Sequence, residues 1–223
     1  MSGAAVKRLV YALPDRIERD DNGQAALRWT LPGAPFEADA SWAENPAVST
    51  VRVLPGAFSP DACRRMIALG DTVAREQGEL EKGDPALRRS EVSWIPPSEA
   101  STAFYHRVGV LLHQANLEYR FVLRGLAEPL QIARYGVGGH FDWHIDSGLR
   151  ETAGRKLSLT VQLSDDADYE GGNLEFINIH GRQPARGLGT AIIFPSFLAH
   201  RIAPVTRGVR VSIVAWAYGP SFV

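Results

Sequence analysis

The chain has 223 residues, 45% hydrophobic and 22% charged, which is enough apolar material for a sizeable core and too much for a disordered chain. Lys+Arg number 24 and Asp+Glu 25, a formal charge of −1, so no basic excess exists to neutralise a phosphate backbone and nucleic acid is excluded as a partner. The lone cysteine, Cys63, excludes an internal disulfide and a cysteine-based zinc site. Met1 to Pro14 lacks the long apolar run of a signal peptide, and nowhere do about 18 apolar residues run together to span a membrane. The expectation is a cytoplasmic protein of one domain, residues 1–223.

In chain order, Pro14, Pro32, Pro35 and Pro46 interrupt any long element, so residues 1–45 read as an irregular arm or short strands. Val51-Arg52-Val53 alternates like a short strand. Ser59 as N-cap, Pro60 at the first helical position and Asp61 in the first turn predict a helix. It should run to about Gln77, stop at Gly78 and bury Ala62, Met66, Leu69 and Val73. Glu79 to Glu91, broken by Gly83 and Pro85, reads as a surface loop. A second helix is expected from about Glu99 to Asn116. Its buried stripe is Phe104, Val108, Leu111, Leu112 and Ala115.

After Leu126 the texture changes to short Val/Ile/Leu/Phe runs punctuated by Gly, Pro and Asp. Strands are expected at Leu130–Tyr135, His140–Asp146, Leu157–Ser164, Asn173–Ile179, Thr190–Phe194 and Val209–Tyr218. Strands without intervening helices form an antiparallel sandwich or barrel. The fold class is therefore mainly β with supporting helices: residues 1–126 form the arm and helical layer, and 127–220 the β core.

Six histidines are present. His106 and His113 fall opposite the apolar stripe of the second helix and are expected in solvent, and His180 before Gly181 reads as a turn residue. In His140-Phe141-Asp142-Trp143-His144-Ile145-Asp146, alternation puts the four polar residues on one face and the three apolar ones on the other. A His and an Asp two apart on one face, with a second His from elsewhere, make the 2-His-1-carboxylate triad of non-haem Fe(II), with three positions left open. Two pairs, His140/Asp142 and His144/Asp146, fit equally. His200 follows the turn at Phe194-Pro195-Ser196. Beyond it, Arg210, Ser212, Val214 and Trp216 share one strand face, opposite Val211, Ile213 and Ala215. A buried arginine beside a possible metal calls for an anion, such as the far carboxylate of a dicarboxylate cosubstrate. Leu157, Leu159, Val161 and Leu163 should pack on the helices, leaving Ser158, Thr160 and Gln162 to line a wet interior, with Tyr135 beside it.

The ordered set Tyr135, His144-x-Asp146, Arg155-Lys156-Leu157-Ser158, Tyr169-x-Gly171-Gly172-x-Leu174-x-Phe176, Phe194-Pro195-Ser196, His200 and Pro204-Val205-Thr206-x-Gly208-x-Arg210-x-Ser212 resembles the prolyl 4-hydroxylase-like Fe(II)/2-oxoglutarate dioxygenases. It is most similar to their bacterial PKHD-type branch, over about Glu128 to Tyr218. The resemblance implies a double-stranded β-helix, or jelly roll, and selects His144, Asp146 and His200 as the metal ligands. It implies Fe(II), 2-oxoglutarate and dioxygen, with L-ascorbate as an accessory. Arg210 matches the position that takes the distal carboxylate, with Ser212 and Tyr135 beside it. Gln162 stands where animal prolyl hydroxylases place a second tyrosine.

The function expected is hydroxylation of an unactivated C–H bond in a prolyl residue, peptide, amino acid or small metabolite, with release of succinate and CO2. A non-catalytic jelly-roll module that binds 2-oxoglutarate or metal is the alternative, and a zinc hydrolase on the same three ligands a third reading, which gives no reason for Arg210. Trp94, His140, Asp142 and Trp143 are candidates for the substrate entrance. Oligomeric state is not written in the sequence.

Overall fold

The structure, a computed structural model, describes residues 45–78, 86–177 and 186–221, together with the backbone of four short strands before them. Those strands are β1 (Leu9–Val10), β2 (Arg16–Arg19), β3 (Ala25–Arg28) and β4 (Phe36–Glu37); β1 pairs with β4 and β2 with β3, all antiparallel. The chain divides into two compact units, Met1–Asn45 and Pro46–Val223. His180 and the end of the strand expected at Asn173–Ile179 lie outside the described residues.

The second unit opens with β5 (Arg52–Leu54) and α1 (Pro60–Asp71). Ser59 caps α1, its Oγ accepting from Ala62 N at 3.2 Å. Cys63, Met66 and Gly70 are the buried positions, so the inward face is turned slightly from the predicted one; Ala62, Leu69 and Val73 pack at its margin. The helix ends at Asp71, short of Gln77. The Thr72 hydroxyl bonds Leu69 O at 2.7 Å, and Asp71 turns its carboxylate to the buried Arg134 at 2.8 Å. The chain beyond joins a sheet instead. β6 (Glu76–Gln77), β7 (Arg88–Arg89) and β8 (Glu91–Ile95) follow, and β6 pairs with β8. The expected loop at Glu79–Glu91 is therefore corrected at its C-terminal end, where Arg88–Arg89 and Glu91 are strand; residues 79–85 lie outside the described residues.

Helix α2 (Thr102–Tyr119) buries Phe104, Val108, Leu111, Leu112 and Ala115, the whole predicted stripe, and leaves His106 and His113 exposed. It ends at Arg120 in the left-handed region (φ 59°), with the Asn116 amide bonded to the Phe121 backbone at 2.8 and 2.9 Å.

The β core comprises β9 (Gly125–Leu126), β10 (Leu130–Tyr135), β11 (His140–His144), β12 (Arg155–Gln162) and β13 (Tyr169–Gly171). It is completed by β14 (Leu174–Phe176), β15 (Ala191–Pro195), β16 (His200–Ile202), β17 (Val205–Gly208) and β18 (Arg210–Tyr218). A large antiparallel sheet runs β5-β15-β12-β18-β10-β8-β6, with β9 on β18; a smaller one runs β14-β16-β11-β7, and β13 pairs with β17. One core lies between the helices and the large sheet, where Met66, Val108, Leu111, Leu157, Leu159 and Ile213 meet. A second lies between the sheets, built by Ala133, Phe141, Leu174, Ile192, Phe194 and Ile202. The large sheet is thus buried on both faces, and its two sides differ in chemistry as alternation requires.

Candidate active site

The cavity sits between the two sheets. From the large sheet come Ser158 and Thr160 on β12, Tyr135 on β10, and Arg210, Ser212 and Trp216 on β18. The smaller sheet supplies Arg88, Phe141, His144, Leu174 and His200. It encloses about 480 Å³ of atom-free space, counting its open mouth.

Strand β11 is irregular where it matters. Phe141 is paired with Ile202 and His144 with His200, so three steps on β11 face two on β16, a β-bulge. Strict alternation would turn Phe141 and His144 to opposite faces. The bulge brings them to the same one, their rings stacked at 3.4 Å, and leaves Asp142 and Trp143 exposed. The expected division of this segment into a polar and an apolar face is therefore corrected.

His144, Asp146 and His200 converge: one ligand atom from each lies within 4.8 Å of the others. The Nε2 atoms of His144 and His200 stand 3.7 and 3.6 Å from the Asp146 oxygens. The Nδ1 atoms face the carbonyls of Asp142 at 2.7 Å and Leu198 at 2.9 Å. A carbonyl only accepts, so each Nδ1 carries the proton and each Nε2 turns a lone pair into the site. Burial, with His200 beside it, lowers the His144 pKa to about 4, leaving the imidazole neutral and ready to ligate at neutral pH. Burial alone would raise the Asp146 carboxyl; His200, His144, the Ser158 hydroxyl and Arg155 outweigh it and hold the group below its ordinary value. Two imidazoles and one carboxylate form the donor set of a facial triad and could hold a single ferrous ion.

Arg210 is 1% exposed. Its Nη1 donates to Ser212 Oγ at 3.2 Å, while Nε and Nη2 are buried without a partner. Burial lowers its pKa, against the pull of Tyr135 and Tyr169. The Tyr135 ring lies 5.5 Å from its Cζ. Gly172 (φ +62°) leaves the space its stem fills, since a Cβ there would stand 3.0 Å from Arg210 Cδ. A buried guanidinium with free N–H groups fits a carboxylate from outside the chain.

A model of the 2OG-Fe(II) oxygenase superfamily matches residues 130–218. A PKHD-type hydroxylase of Pseudomonas fluorescens is 38% identical over 175 residues, 73% of this chain and 76% of that one. The chain belongs to the PKHD-type hydroxylases. A relative from Cupriavidus metallidurans is 36% identical over 126 residues, 53% of this chain; that alignment spans 55% of the relative, about half its length. Among solved structures, a Pseudomonas putida prolyl-4-hydroxylase superposes with a TM-score of 0.62 at 19% identity, covering 77% of this chain and 93% of that one. A Trichoplax adhaerens prolyl hydroxylase, in complex with a hypoxia inducible factor peptide fragment, gives 0.63 at 18% identity over 75% and 83%. These likenesses establish the jelly-roll fold. The matching family model is that of the 2OG-Fe(II) oxygenases, and the family implies Fe(II) and 2-oxoglutarate, which the donor set and Arg210 fit.

Of the other expected residues, Ser212 and Tyr135 line the cavity, while Gln162 is buried beyond its lining, beside Ser212 in register and with Oε1 unpartnered. His140 faces elsewhere, its ring nitrogens each 3.0 Å from the carbonyls of Gly138 and Ala86. Asp142 is exposed and accepts from Trp143 N at 2.8 Å; Trp143 lies under the Arg201 guanidinium at 4.8 Å. Trp94 packs 6.4 Å from Trp216. Sequence reasoning did not find Arg88 or Phe141 in the cavity, nor the Ser158–Asp146 bond. The alternation of β12 pointed Ser158 inward; nothing local marked the other two. Among the described residues, no helix is long and apolar enough to cross a membrane.

Proposed function

We propose that this hydroxylase holds Fe(II) through Nε2 of His144, Nε2 of His200 and the Asp146 carboxylate, and binds 2-oxoglutarate with its far carboxylate on Arg210. The bound metal and cosubstrate supply oxidative decarboxylation to succinate and CO2, coupled to hydroxylation of an unactivated C–H bond, with ascorbate as auxiliary reductant. The substrate is a prolyl residue, a peptide, an amino acid or a small metabolite. Arg210 and Ser212 fix the far end of the cosubstrate, and Tyr135 stands beside them. Ser158 holds one oxygen of Asp146, and the Asp142 and Leu198 carbonyls hold the two imidazoles in their ligating tautomer. Phe141, Leu174 and Phe194 keep the flank apolar.

The observation that carries this reading is the convergence of three ligand atoms within 4.8 Å in the cavity that also holds the unpartnered Arg210. The test is release of CO2 from carboxyl-labelled 2-oxoglutarate with Fe(II), alongside mass spectrometry of cell extract for products that gain one oxygen atom. Wild type should give both, and His144→Ala and Asp146→Ala neither. Undiminished succinate formation in those variants would overturn the ligand assignment.

A further inference from the structure

Arg88 is unlike most arginines around it. It lines the cavity from β7, half-buried, with Nε donating to Ser90 Oγ at 2.8 Å and Nη2 to Gln131 Oε1 at 3.1 Å. Both partners are neutral. Among the described residues no carboxylate lies within ion-pair distance of it, whereas Arg75, Arg134, Arg155 and Arg201 each meet one. Its Cζ sits 4.7 Å from the Phe141 ring, which stacks in turn on His144. Arg88 is therefore one aromatic ring away from the candidate metal ligands. Across the cavity Trp216 is pinned by Arg155, whose Cζ lies 3.8 Å from its ring, and its indole Nε1 is buried with no acceptor. Gln131, which holds Arg88, is paired in register with Val214, two residues before Trp216 on the same strand face. Arg88, whose acceptors are all neutral, and the indole N–H, which has none, thus both line the site.

We infer that the substrate carries a carboxylate, received by Arg88 with the Trp216 indole N–H as a second donor. This rests on the dioxygenase reading above. In that reading the charges of a ferrous ion and Arg210 are balanced by Asp146 and the two carboxylates of 2-oxoglutarate, which leaves the charge of Arg88 unmet among the described residues. A guanidinium held by neutral partners in a partly desolvated cleft favours an anion over an amide, since only the anion repays its desolvation with a charge-assisted pair. The C–H bond attacked then lies near a free acid group, as in an amino acid, an acidic side chain or a chain terminus.

The test uses the full chain loaded with Mn(II) and 2-oxoglutarate, which does not turn over. The probes are N-acetyl amino acids, each as free acid and as primary amide, read by paramagnetic broadening of their proton resonances. At least one acid should bind roughly tenfold tighter than its amide. Arg88→Gln should bring that ratio near one, and Arg88→Lys, which keeps the charge, should retain part of it. Trp216→Phe, which keeps an aromatic ring and removes the N–H, should weaken the acid several-fold. Equal binding of acids and amides, an acid preference that survives Arg88→Gln, or no acid bound at all overturns the inference; unchanged acid affinity in Trp216→Phe overturns the part played by the indole. Failure of 2-oxoglutarate itself to bind, read from Mn(II) water relaxation in the same samples, overturns the dioxygenase reading. The acid-to-amide ratio measured without the cosubstrate still decides Arg88.

Discussion

The Ser158 hydroxyl donates a 2.6 Å hydrogen bond to Oδ2 of Asp146, and Ser196 Oγ stands 3.0 Å from it. Asp146 N adds a bond to Ser196 O at 2.9 Å, so the backbone and one carboxylate oxygen are both anchored while Oδ1 is presented to His144. Partners of this kind fix which oxygen a ligating carboxylate offers to the metal.

Ser158→Ala removes that donor from a buried carboxylate. Metal affinity should fall about 10- to 100-fold while the fold persists. Titration with Mn(II) or Fe(II), with circular dichroism of the same sample, checks both halves. Unchanged affinity would show that Asp146 is held by its backbone alone.

Arg210→Met keeps the bulk of the stem and removes the charge. Affinity for 2-oxoglutarate should fall by about 2–4 kcal/mol, some 30- to 1,000-fold, with metal affinity nearly untouched. Thermal stability should hold or rise, because the buried guanidinium has no internal partner for Nε or Nη2. A variant that binds the cosubstrate normally but melts early would make Arg210 a structural residue.

His140 supplies a pH dependence with a definite sign. The Gly138 carbonyl, then that of Ala86, raise its pKa above the ordinary 6.5, because two acceptors require two N–H donors. A raised folded pKa gives stability that is fully present below the unfolded value and lost as pH rises through the folded one. Melting temperature of wild type relative to His140→Gln should therefore decline between about pH 6 and pH 8. A flat difference across that window would mean that the protonated ring is not what ties residues 86 and 138 together.

Gly189 occupies φ +73°, where a Cβ would run into the Phe58 carbonyl, and its own carbonyl accepts from Phe58 N at 3.0 Å. Gly189→Ala should cost about 1–3 kcal/mol, since neither the backbone conformation nor the neighbouring main chain can yield cheaply. Urea unfolding measures this directly, and a loss below about 0.5 kcal/mol would show that the turn relaxes.

Much of the framework was legible because it is local. The stripe from Phe104 to Ala115 is a helical spacing, and α2 buries it entire. Alternation in β12 and β18 sorts Leu157, Leu159, Ile213 and Ala215 to the helix side and Ser158, Ser212 and Trp216 to the cavity side. Those strands are central and pair in unbroken register from Leu157 to Gln162, so counting by twos works there. It failed in β11, where one inserted residue reverses the parity between Phe141 and His144, and an insertion shows only in the partner's register. It failed also at β6 and β7, two-residue edge strands whose pairing depends on distant neighbours. The choice of His144 over His140 belongs with these: both side chains meet carbonyls, yet only one has a second histidine opposite it in the ladder.

The irregularity in β11 constrains how this chain can change. Deleting Asp142 or Trp143, both exposed and seemingly expendable, would let the ladder against β16 close into perfect repeat and gain the hydrogen bonds that the interruption forfeits. In that tidier protein residues 141 and 144 would stand two steps apart and still share the inward face, with the imidazole of residue 144 opposite its counterpart at 200. What the deletion would disturb is the main-chain carbonyl at 142 that holds the Nδ1 proton of that imidazole, so the inserted stretch serves the site through its backbone and not through its two surface side chains.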